Sequence, residues 1–95
     1  MKKSESRNVF QDLGFDGYEA VNLLIRSNLM VEISKYIEGN KMTQARAAKF
    51  FGVSQPRISD LTRGKIQLFT VDMLITMLAR AGINVGVVVS KEKAA

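Results

Sequence analysis

The chain has 95 residues, 46% of them hydrophobic, with no cysteine, no histidine and a formal charge of +5. That length allows one domain with a single core, and the missing residue types exclude disulfides, thiolate chemistry, Cys/His zinc sites and histidine acid–base catalysis. The charge is local: residues 41–65 carry Lys41, Arg46, Lys49, Arg57, Arg63 and Lys65 against Asp60 alone, a surface that suits a polyanion such as phosphate.

Residues 1–16 read as an irregular segment in which Val9-Phe10 and Leu13-Gly14-Phe15 are sparse apolar anchors. The basic Met1-Lys2-Lys3 start is followed by no apolar region of signal-peptide kind. The apolar runs at 23–25 and 85–89 are too short for a bilayer, so a cytoplasmic protein is expected. Over residues 18–38, Leu23, Leu24, Met30, Ile33 and Ile37 recur at helical spacing, broadened by Val21 and Leu29. Gly39-Asn40 then predicts a left-handed stop.

A short helix follows from Gln44 to Phe51, capped by Thr43 and broken by Gly52. Ser54 caps the next, with Pro56 in its first turn, running to about Arg63 and ending at Gly64. Thr70 caps a fourth over residues 71–81, with Val71, Leu74, Ile75 and Leu78 on one face and Gly82 as terminator. The β-branched run 83–89 reads as one strand. It needs a partner for its backbone groups, from a second copy, from another protein, or within the chain from the Val9-Phe10 region. The tail 91–95 is expected to fray. The expected architecture is thus mainly α: an opening segment 1–16, a four-helix domain 17–82, a terminal strand 83–90 and the tail.

The stretch TQARAAKFFGVSQPRISDL, residues 43–61, carries the functional argument. Ala48 is small where two helices cross, and Gly52 supplies a positive φ in the turn. Val53, Ile58 and Leu61 pack the back of the following helix, together with Ala47 and Phe51. Its opposite face and flanks are left to Gln55, Arg57, Ser59 and Asp60. A helix offered in this way fits the major groove, where Gln pairs with adenine and Arg with guanine. Arg57 has a second option, an ion pair with Asp60 three residues on. Asp60 reads better as a partner that orients Arg57 or Arg63 than as a base reader. Gln44 opens the preceding helix, where its side chain and the first amides meet a phosphate. Phe50, Phe51 and Phe69 fit a core better than a stacking platform.

These residues resemble the Xre or lambda-repressor type of helix-turn-helix regulator, through Thr43-Gln44, Ala48, Gly52-Val53-Ser54-Gln55, Ile58-Ser59 and residues 61–64. The resemblance implies base contacts from Gln55, Pro56, Arg57, Ser59 and Asp60, and phosphate contacts from Gln44, Ser54, Arg63 and Lys65. Pro56 departs from the commoner polar residue, so a contact there is apolar. Over residues 8–89 the chain also resembles small HigA-type antitoxins, which implies a homodimer on a palindromic operator and a RelE/HigB-like toxin as partner. A phage-type repressor without a toxin is the alternative. No nucleophile is paired with a base and no glycine loop cradles a phosphate, so neither catalysis nor a cofactor is expected.

Overall fold

The computed structural model describes residues 8–91, within which five α-helices and one 3-10 turn follow in order. These are α1 Val9–Asp12, α2 Gly17–Gly39, α3 Gln44–Phe51, α4 Gln55–Thr62, the 3-10 turn Ile66–Leu68, and α5 Val71–Arg80. Each helix opens on a residue whose side chain accepts a first-turn amide: Asn8, Asp16, Thr43, Ser54 and Thr70. Small oxygen-bearing side chains satisfy amides that the helix itself leaves without a partner. Each helix also closes alike, with an amide reaching back past the last turn: Phe15 to Phe10, Met42 to Ile37, Val53 to Ala48, Lys65 to Asp60 and Ile83 to Leu78. That bond marks a chain reversing through a left-handed residue.

The core gathers Met30, Ile33 and Ile37 from α2, Ala47, Ala48 and Phe51 from α3, and Ile58 and Leu61 from α4. Phe69 and the α5 residues Leu74, Met77 and Leu78 complete it. Phe51 and Phe69 are buried, and Phe50 stacks on Tyr36 with ring centroids 5.4 Å apart. The aromatic rings are therefore packing. No helix among the described residues is long and apolar enough to cross a membrane.

Three local features differ from the sequence expectation. Val9–Asp12 is one turn of helix inside the segment expected to be irregular; Asn8 caps it, and the rings of Phe10 and Phe15 meet edge-on at 6.2 Å. A single turn is too short to show a periodic pattern, and its stability comes from lying against α2. The stop of α2 falls one residue late: Asn40 has φ −100 and Lys41, at φ +52, takes the left-handed place. Met42 is half-buried against the core, and docking it decides where the chain reverses.

The third difference is the terminal strand. Residues 83–89 form none, and no strand occurs among the described residues. Ile83 and Val85 pack against the core while Val87, Val88 and Val89 are exposed. A strand is defined by its ladder, and the Val9-Phe10 region, its candidate partner within the chain, is helical. The expected tail beyond residue 91 and the first seven residues lie outside the described part of the chain.

Candidate nucleic-acid interface

The unit formed by α3, its turn and α4 is set by local chemistry first. Thr43 accepts the Arg46 amide at 3.1 Å and Ser54 accepts the Arg57 amide at 3.3 Å, so both helices start where the hydroxyls stand. Between them Gly52 adopts φ +73. Packing then fixes the rotation of each helix about its axis. Ala47, Ala48 and Phe51 turn α3 inward, and Ile58 and Leu61 do the same for α4.

With Ile58 fully buried, the other face of α4 is committed to solvent. Gln55 and Pro56 are exposed there, and Ser59 and Asp60 are half-exposed. Gln44 is exposed as the first residue of α3, with Ser54 exposed at the cap of α4. Arg63 and Lys65 are exposed just beyond the end of α4. Asp60 faces Arg63, with 3.8 Å between Oδ1 and Nη2, rather than Arg57. At the surface such a pair adds little stability, but it keeps the carboxylate beside a cation.

Arg57 behaves differently from the rest of its helix. Its Nη1 donates to the Leu68 carbonyl at 3.0 Å, and its guanidinium carbon lies 5.4 Å from the centre of the Phe69 ring. It is therefore engaged within the protein, while Gln55, Pro56 and Ser59 face outward.

Other arginines brace the unit without having been singled out by sequence. Arg80, in the last turn of α5, donates from Nη1 to the Gly52 carbonyl at 2.8 Å and so holds the turn. Arg26, on α2, donates from Nη1 to the carbonyls of Phe69 at 3.1 Å and Ile66 at 3.3 Å. These contacts join residues far apart in the chain, and no local pattern announces them. Arg46 and Lys49 enter the sequence reading only through the charge of their segment; both are exposed on α3. Gln67 is exposed in the 3-10 turn beside Lys65 and carries no sequence signal either.

The arrangement can accept a duplex: an outward helix with amide and hydroxyl groups, bordered by cations at its end and along its neighbour. Comparison with known proteins agrees with this geometry. A family model described as a helix-turn-helix domain matches residues 9–90. A solved structure of a "Putative XRE Family Transcriptional Regulator" superposes with a TM-score of 0.74 at 29% sequence identity, over 81% of this chain and 90% of that one. No curated protein matches the chain in sequence.

Proposed function

Since the chain belongs to the helix-turn-helix domain family, in its Xre type, we propose that it is a sequence-specific DNA-binding regulator of transcription that acts as a repressor. The observation that carries this reading is the outward face of α4, where Gln55, Pro56 and Ser59 stand free while Ile58 and Leu61 anchor the helix from behind. The α4 face, with Asp60 and Arg57 at its edges, enters the major groove. Gln55 pairs with adenine, and Pro56 offers an apolar contact suited to a thymine methyl. Gln44, Ser54, Arg63 and Lys65 meet phosphates and set the register.

The chain works as a homodimer, with two copies of α4 in successive major grooves roughly 34 Å apart. Residues 83–89 are the dimer element. They are rich in valine, take no regular secondary structure, and have no ladder partner among the described residues. Bound upstream of its own gene in the cytoplasm, the dimer excludes polymerase.

The more specific role is that of an autoregulating antitoxin with a RelE/HigB-like toxin as partner. The surface that favours it over a phage-type repressor belongs to α1 and α2 rather than to α4. Val9, Leu13, Tyr18, Val21 and Ile25 are large apolar side chains left exposed on α1, α2 and the link between them, beside Asp16 and Glu19. With dimerisation assigned to residues 83–89, this face is left to a different protein, and the acidic residues beside it suit a basic one.

The deciding experiment is binding to the DNA upstream of its gene against a scrambled duplex, across a salt series. A preference of about a thousand-fold or more, lost in Gln55→Ala, is the expected result. Equal, salt-sensitive binding to both duplexes would reduce the protein to a phosphate binder. Co-purification with the product of a neighbouring toxin gene, abolished by Val21→Lys, separates antitoxin from phage-type repressor.

A further inference from the structure

The segment that leaves the reading helix is held from two sides by guanidinium groups. Arg26 approaches from α2, its Nε donating to Asn22 Oδ1 at 2.8 Å and its Nη1 to the carbonyls of Ile66 and Phe69. Arg57 approaches from α4 and takes the Leu68 carbonyl and the face of the Phe69 ring. Phe69 is 1% exposed, so the ring under Arg57 is fixed in the core. Three carbonyls of one short segment are thereby turned toward arginines. Lys65 and Gln67, on the same segment, remain exposed.

Helix geometry explains why Arg57 takes this route. At ~100° per residue it lies only about 40° from Leu61 around α4, and about 160° from Ser59. Leu61 is buried and Ser59 borders the outward face, so Arg57 leaves the helix on the side that faces Phe69. To contact a guanine in bidentate fashion it must give up both a charge-assisted hydrogen bond and a cation–π contact over a buried ring.

We propose that Arg57 is a positioning residue: it holds residues 65–69 against α4 so that Lys65 meets the phosphate backbone, and base reading is left to Gln55, Pro56 and Ser59, with Asp60 held by Arg63. This rests on the DNA-reading function proposed above and assigns the arginine of the reading helix to affinity rather than to sequence choice. The expected half-site is then determined through amide and apolar contacts, with no guanine demanded by Arg57.

The test selects preferred duplexes from a random pool with the wild-type chain and with Arg57→Ala, Arg57→Gln and Gln55→Ala. Affinities of each variant are then measured with and without Lys65→Ala. Arg57→Ala is expected to select the wild-type sequence while binding every duplex roughly tenfold more weakly, the size of one charge-assisted hydrogen bond. Arg57→Gln keeps the stem over Phe69 and one donor, so it should select the same sequence with a smaller loss and serve if the alanine variant unfolds. Gln55→Ala should change the selected sequence. In the Lys65→Ala background the Arg57 substitution should cost much less than it does alone, because its effect passes through the segment that carries Lys65. A base position whose preference vanishes in either Arg57 variant, or losses that multiply independently of Lys65, would overturn the proposal while leaving DNA reading intact. A wild-type chain that selects no sequence at all would remove both.

Discussion

Gly52 shows what one position can demand. Its φ of +73 is a conformation that L side chains rarely adopt, and an added Cβ would come within 2.8 Å of Arg80 Nη1 and 2.9 Å of Arg80 Cδ. The arginine can swing away, at the expense of its bond to the Gly52 carbonyl, but the backbone strain stays. Gly52→Ala should therefore lower stability by about 1–2 kcal/mol, read as a fall in thermal midpoint. Gly39, where nothing lies within 4 Å and the backbone is helical, is the control. Gly39→Ala should be neutral or slightly stabilising by the same measurement. Gln55 is the opposite case: it is exposed and buries nothing, so Gln55→Ala should move the thermal midpoint little while costing about 1–3 kcal/mol of base discrimination. A large drop in midpoint would make Gln55 a structural residue instead.

At the scale of elements, α4 is short and depends on what lies behind it. Its eight residues are too few for a helix stable in isolation, and Ile58, with no exposed surface, supplies much of its anchorage. Ile58→Ala should cost about 2–5 kcal/mol, a large share of the roughly 5–15 kcal/mol available to a whole domain. DNA affinity and the denaturation midpoint should fall together. Ser54→Ala removes only the bond to the Arg57 amide and should cost about 1 kcal/mol. Helix α2 differs in kind, being apolar on faces that the core does not cover: Val21, Ile25 and Val31 are all about half exposed. Of the stripe read from spacing, Leu23, Met30, Ile33 and Ile37 are buried, Leu24 and Leu29 are half-buried, and Val21, expected to broaden it, is exposed, so the pattern identified the inward face but set its edge too wide. The apolar residues outside it were legible as composition but not as surface.

On the scale of the molecule, charge and apolar surface are separated. Cations gather around α3 and α4, whereas the exposed large apolar side chains sit mostly on α1, α2, the link between them and residues 87–89, with Leu68 in the 3-10 turn the exception. Replacing Lys65 by alanine should weaken all duplexes alike and flatten the dependence of log affinity on log salt by about one unit of slope. The valine tail yields a separate expectation. Val88 is 93% exposed in the single chain, so Val88→Lys should leave the stability of the protomer unchanged. If residues 83–89 pair between copies, it should shift the sedimentation behaviour from dimer to monomer. A wild-type chain that sediments as a monomer at every concentration would reject that pairing.

The sequence by itself determined the elements whose signals are local. Caps at Thr43, Ser54 and Thr70 and reversals at Gly52, Gly64 and Gly82 act within a few residues, so the bounds of α3, α4 and α5 were legible to within a residue. The positions of Gln44, Gln55 and Ser59 on outward faces followed from the same spacing. Tertiary structure decided everything that depends on residues distant in the chain. The stop of α2 moved to Lys41 because Met42 docks on the core, and the expected strand at 83–89 has no ladder because the fold offers it no edge. The direction taken by Arg57 was set by a carbonyl and a ring eleven and twelve residues away in a segment folded back beside α4. Local backbone preference is written residue by residue, whereas the partner of a long side chain or an extended strand is chosen only once the chain has closed on itself.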